Sequence, residues 1–98
     1  MDDNTDISNL LSKIFADKIN IGIICSLYDK NLCANTISSI VDLEIDELDR
    51  HLETLVQYNI LAKIQNDSDV SYYLKESKIC DSIIMLKDAL YKSIITNK

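Results

Sequence analysis

The chain contains no proline, no tryptophan, one glycine and one phenylalanine in 98 residues. Without glycine and proline there is little material for tight hairpins or Greek-key corners, whereas helices are favoured by their absence, so a mostly α fold is expected. Aromatics are scarce at 6% while 47% of residues are hydrophobic, so the core must be built mainly from Ile and Leu. The length allows one domain, residues 1–98, and excludes most large catalytic scaffolds. No apolar run approaches the roughly 18 residues of a membrane span, and Met1-Asp2-Asp3-Asn4-Thr5-Asp6 is acidic where a secretion signal is basic. No membrane partner and a cytoplasmic location are therefore expected. Bases are also few: ten against sixteen acids give a net charge of −6, the wrong sign for non-specific attraction to phosphate backbones or anionic lipid. Cys25, Cys33 and Cys80 are odd in number and lack a close pair. This argues against a disulfide framework or structural zinc and for buried free thiols.

What the chain does have is helical periodicity. Ile7, Leu10, Leu11, Ile14 and Phe15 form the stripe of an amphipathic helix that Thr5 or Asp6 can cap. After Asp17, the stretch with Ile19, Ile23, Ile24, Leu27 and Tyr28 is so apolar that it should be nearly surrounded by other helices. Asp29-Lys30-Asn31 breaks the pattern. Asn35 or Thr36 then opens a short helix with Ile37, Ile40 and Val41 on its buried side, ending near Asp42. From Glu44 to Tyr58, Ile45, Leu48, Leu52, Leu55 and Val56 recur at helical spacing with acids on the remaining face, and Asn59 can take the left-handed conformation that stops a helix. The period then changes. Ile60–Ile64 and Val70–Leu74, separated by the polar Gln65–Asp69, read as a β-hairpin. A final helix from Glu76 to about Ile95 carries Ile79, Ile83, Leu86, Leu90 and Ile94, widened by Cys80, Ile84, Tyr91 and Ile95. That is more apolar surface than one small domain can cover, which predicts a dimer interface.

Helix, helix, short helix, longer helix, hairpin, helix is the order of a winged helix-turn-helix. Phe15-Ala16-Asp17 followed by Ile21, Ile23 and Ile24 resembles the "ADPTRLRIL" opening of ArsR-type repressors, and Asn31-Leu32-Cys33 resembles their "ELCVC" segment. Asp49-Arg50-His51-Leu52, Leu55 and Asn59-Ile60-Leu61 resemble the "SRHLxxLxxAGLV" run, and Val70–Leu74 the "vYYsL" end of the wing. The resemblance covers roughly residues 10 to 80. It implies a homodimeric transcriptional regulator that pairs through its first and last helices and places the Glu44–Tyr58 helix in the major groove of double-stranded DNA. The interface residues it implies are Leu10, Leu11, Ile14, Ile83, Ile84, Leu86, Leu90, Tyr91 and Ile94. The DNA-facing ones are Thr36, Glu44, Asp46, Glu47, Asp49, Arg50 and Lys63.

The departures from the family pattern carry information. Lys18 stands in place of its Pro and Asn20 in place of its Arg, and acids replace the Ser, Gln and Thr that open its recognition helix. Residues 42–53 hold six acids and one Arg, a net −5 that a phosphate-lined groove would repel. One or two carboxylates could accept from cytosine N4 or sit favourably on the helix dipole; otherwise the face is simply solvated or meets a basic protein. Arg50 suits a phosphate or guanine, or a surface ion pair with Asp46, Glu47 or Glu53. His51, in the apolar register, reads as a hydrogen-bonded structural residue rather than a base reader. Lys63 is the one base of the hairpin. No metal cofactor is expected: Cys33 is followed by Ala34-Asn35 where a second sulfur is needed, and the last helix has no His. Cys33 stays open as a lone redox-sensitive thiol. With no phosphate loop, nucleophile elbow or triad, an enzyme is not expected. The alternatives are a partition-type, TubR-like centromere-binding protein and a winged-helix protein-interaction module without DNA.

Overall fold

Asp17 separates the first two helices. α1 spans Asp3–Phe15 and α2 spans Lys18–Ser26. The Asp17 Oδ1 accepts the Ile19 N–H at 2.9 Å, satisfying one of the donors that a helix start leaves without an intrahelical partner. The structure is a computed structural model describing residues 3–96. The chain continues through β1 (Leu32–Cys33), α3 (Ala34–Val41), α4 (Ile45–Gln57), β2 (Leu61–Asn66), β3 (Asp69–Leu74) and α5 (Lys78–Thr96). The three strands form one antiparallel sheet in the order β1-β3-β2, with Leu32 and Lys63 facing Tyr72 from its two sides. With α3 and α4 as the helix-turn-helix pair and β2–β3 as the wing, this is the winged helix-turn-helix the element order predicts.

In a chain with one glycine, left-handed backbone falls on short polar residues that can adopt it: Asp29 (φ 58°), Asp42 (56°), Asn59 (62°) and Asp67 (45°). Asp42 ends α3 and Asn59 ends the segment after α4, as expected for both. Past Asn59 the Ile60 N–H reaches back to Leu55 C=O at 2.9 Å, so the helix end is tied before the chain turns into β2. The wing turn is tighter than the polar Gln65–Asp69 suggests. Strand pairing runs out to Asn66 opposite Asp69 and leaves only Asp67 and Ser68 in the loop.

The core is aliphatic, as the composition requires. Ile23 and Ile24 of α2 and Leu27 at its C-cap meet Leu48, Leu52 and Leu55 of α4, with Ile14, Ile37, Leu61, Tyr72 and Cys80 around them. Several expectations need correction. α1 already begins at Asp3, so Thr5 and Asp6 lie within the helix and not at its cap position. Nothing in the sequence pattern announces β1, because two residues show no alternation. Cys33 becomes the residue before α3, which starts at Ala34 instead of Asn35 or Thr36. Ile40 is 54% exposed, since the core side of the short α3 is taken by Ile37 and Val41, one turn apart. Tyr28 lies beyond the last turn of α2 and is exposed. Ile14, taken as an interface residue, is 0% exposed in the protomer's own core and cannot form part of a surface.

Candidate nucleic-acid interface

α4 is held from below by its leucines, which leaves its opposite side in solvent. Three different surroundings border that side. At its start, the Ser38 hydroxyl donates to Leu43 C=O and fixes the α3–α4 turn. Glu44 occupies the cap position through its backbone alone, without a side-chain bond. Asp46 and Glu47 are exposed in the first turn, where the helix dipole favours acids. Glu44 and Glu47 border a shallow depression with Ser38, Ser39 and Asp42.

On the wing side, a groove of about 420 Å³ runs between α4 and the hairpin, with Asp49, Glu53, Lys63, Asp69 and Tyr72 along it. Its field is negative. Burial raises the Tyr72 phenol above its ordinary pKa, and Asp49 and Glu53 raise it further. Cys33 sits at the mouth of this groove with its Sγ 3.3 Å from Thr36 Oγ1. That hydroxyl, with backbone N–H groups at the start of α3, holds the Cys33 thiol below the usual thiol range. Thr36 is exposed, but its hydroxyl is engaged with sulfur. Cys80 is the opposite case: burial first, then the neighbouring Cys25, push its thiol up to about 11. Of the three free thiols, Cys80 alone is fully buried, Cys25 is half-buried and Cys33 is exposed, a correction to the uniformly buried expectation.

The third side faces α1 and α2. Asn20, only 4% exposed, donates from Nδ2 to Ile14 C=O at 3.1 Å, and its Oδ1 lies 3.0 Å from His51 Nδ1. With the Asn20 amide nitrogen already committed, His51 is the donor in that second bond. Asp17 Oδ2 stands 3.7 Å from the same ring nitrogen. His51 is thus the hydrogen-bonded structural residue, tying α4 to the end of α1. Asn20, conspicuous in the sequence only as a departure from the family's Arg, is the buried link between them. Lys13 and Arg50 border this corner as well. No sequence signal singles out Lys13, because an exposed lysine in a last helical turn is ordinary.

The predicted DNA-facing residues therefore do not form one patch. Glu44 and Glu47 lie by the α3 turn, Asp49 and Lys63 by the wing, Arg50 by α1, and Asp46 on exposed helix surface. Among the described residues no group of three or more His, Cys, Asp or Glu side chains could hold a metal ion. On α1 and α5, Leu10, Leu11, Ile84, Leu86, Leu90, Tyr91 and Ile94 are all exposed, most by half or more, while Ile83 is half-buried against the core.

A helix-turn-helix pair beside a β2–β3 wing in a three-stranded sheet, with apolar residues left open on the first and last helices, defines the winged helix-turn-helix class. Solved structures agree. HlyU from Vibrio cholerae superposes with a TM-score of 0.76 at 25% identity, covering 91% of this chain and 97% of that one. The transcriptional repressor BigR from Xylella fastidiosa gives 0.72 at 21% identity over 91% and 86% of the two chains. The homodimeric winged helix-turn-helix DNA-binding domain of Mb0332 from Mycobacterium bovis, described as a possible ArsR-family regulator, gives 0.78 at 10% identity over 96% and 91%. These structures share the winged helix-turn-helix fold, and one of them carries the family name that this sequence resembles. No protein-family model matches the chain, and no curated protein matches its sequence.

Proposed function

We propose that the chain is a homodimeric, DNA-binding transcriptional regulator of ArsR type, acting in the cytoplasm and without a metal effector. The observation that carries the reading is the division of the protomer into two unfinished surfaces. One is an apolar face on α1 and α5 that a second copy would cover; the other is the polar side of α4 beside a wing, the shape that enters a major groove. BigR's description as a repressor and the homodimeric, DNA-binding state of the Mb0332 domain support both halves. The chemistry is binding, with no catalytic step.

Charge favours a second reading. The first turn of α4 and the wing groove are acidic, so the same surface suits a basic protein segment, and the fold would then serve protein interaction. A gel shift against the DNA upstream of the protein's own gene, at about 0.01 M and about 0.1 M salt, decides between them. Sequence-specific retardation supports the regulator. No retardation of any duplex at either salt overturns it in favour of the protein-interaction module.

A further inference from the structure

We infer that the DNA backbone is gripped on the α1–α2 side of α4, at a phosphate-binding corner built from Lys13 and Arg50; this rests on the DNA-binding reading above. The corner is a pocket of about 210 Å³ lined by Lys13, Asp17, Asn20, Arg50, His51 and Thr54. Its two cations come from separate helices, α1 and α4, and the fold alone brings them to one site. Among the described residues neither Lys13 nor Arg50 has a hydrogen-bond or ion-pair partner for its charged end, although Asp46 and Glu47 lie one turn before Arg50. The other polar groups of the pocket are committed. Thr54 Oγ1 donates to Arg50 C=O at 3.0 Å, and the Asp17 carboxylate accepts the Ile19 N–H on one oxygen and faces His51 with the other.

The site is also held in place. Asn20 hydrogen-bonds both Ile14 C=O and His51, so the residue next to Lys13 is fastened to the helix that carries Arg50. The two helix backbones that carry the cations are thus fixed relative to each other, and a ligand has only the two exposed side chains to order on binding. The guanidinium offers a planar fork for two phosphate oxygens and the ammonium a point charge beside it. Elsewhere along α4 the balance runs the other way: Lys63 shares its groove with Asp49, Glu53 and Asp69. A phosphate approaching α4 therefore meets net positive charge at the Lys13–Arg50 corner and net negative charge on the wing side. Two cations at an open pocket suit a phosphate delivered by a backbone that is held at other points too, in preference to free phosphate.

The test uses the full chain and a duplex that the wild type binds, with affinity measured by fluorescence anisotropy across a salt series. Lys13→Gln and Arg50→Gln should each weaken binding by about tenfold near 0.1 M salt. Each should also make the slope of log affinity against log salt shallower by about 2, one phosphate contact per protomer of a dimer. Lys30→Gln, an exposed lysine in the turn after α2, should change neither quantity. Both corner side chains are exposed, so thermal melts should match the wild type; if Arg50→Gln fails to fold, Lys13→Gln and the charge reversal Lys13→Glu carry the test. Unchanged affinity and slope in Lys13→Gln, with the wild type still binding, overturn the corner and leave the DNA reading intact. Failure of the wild type to bind any duplex overturns both. Inorganic phosphate added at constant ionic strength should not displace the duplex. Displacement lost in Lys13→Gln would identify a free-anion site and overturn the backbone assignment.

Discussion

In α4 the leucines at 48, 52 and 55 are at most 1% exposed, and the acids and Arg50 lie exposed on the other side of the helix. In α5, Cys80 is buried and Ile79 and Ile83 reach the core, while Leu86, Leu90, Tyr91 and Ile94 are 60%, 53%, 64% and 63% exposed. Both helices are amphipathic by pattern. The difference lies in how many apolar rows each carries against how many neighbours the protomer supplies. α4 has one row and finds α2, α3 and β2 beneath it. α5 has a broad face that runs past the end of the domain, with only its first turns against α2. A helix whose apolar stripe is fully covered is finished within one chain; one whose stripe continues into solvent is finished by association.

The largest effect is expected from Leu52→Ala. It empties a fully packed position and should cost about 2–5 kcal/mol, read as a lower urea midpoint. Leu90→Asp tests the other helix. It should leave helical content unchanged by circular dichroism while sedimentation falls from twice the 11.1 kDa protomer mass to a single protomer. If Leu90→Asp unfolds the chain without passing through a folded monomer, α5 is as much a core helix as α4 and the contrast between them is broken.

Replacing Glu47 with Ser and Asp49 with Gln sharpens the comparison on α4's outer side, since Ile45, Leu48 and Leu52 beneath are untouched. DNA affinity should rise by about tenfold at 0.01 M salt, where the Debye length is about 30 Å, and by less at 0.1 M, where it is about 10 Å. Weakened sequence-specific binding would instead mean that these carboxylates read bases. The smallest effect is in thiol labelling. The thiolate is the reactive form, so the exposed Cys33, held below the usual range, should label first at neutral pH. Cys80, pushed up to about 11 and buried in the first turns of α5, should label last. Raising the pH toward that value should narrow the gap. Fast labelling of Cys80 at neutral pH would show that α5 detaches from α2.

Much of the scaffold was legible because its signals are local. Asp17, Asp42 and Asn59 mark element ends in one dimension, and the leucine spacing of α4 needs no partner to be recognised. β1 was not legible, since a two-residue strand exists only through its pairing with β3. Ile14 shows the limit of a stripe. Ile7, Leu10, Leu11 and Ile14 look equivalent along α1, yet the last is enclosed by the protomer and Ile7, Leu10 and Leu11 are not.

Composition, spacing and capping chemistry thus determined the order of helices and hairpin, the aliphatic core and the acidic character of α4, because each depends on neighbours a few residues apart. Tertiary structure alone decided which side of α4 is acidic and which holds Lys13 beside Arg50, and that Asn20 links Ile14 to His51. It also decided where the core ends along α1 and α5. Burial and the pairing of charges are set by distances through space between residues far apart in the chain.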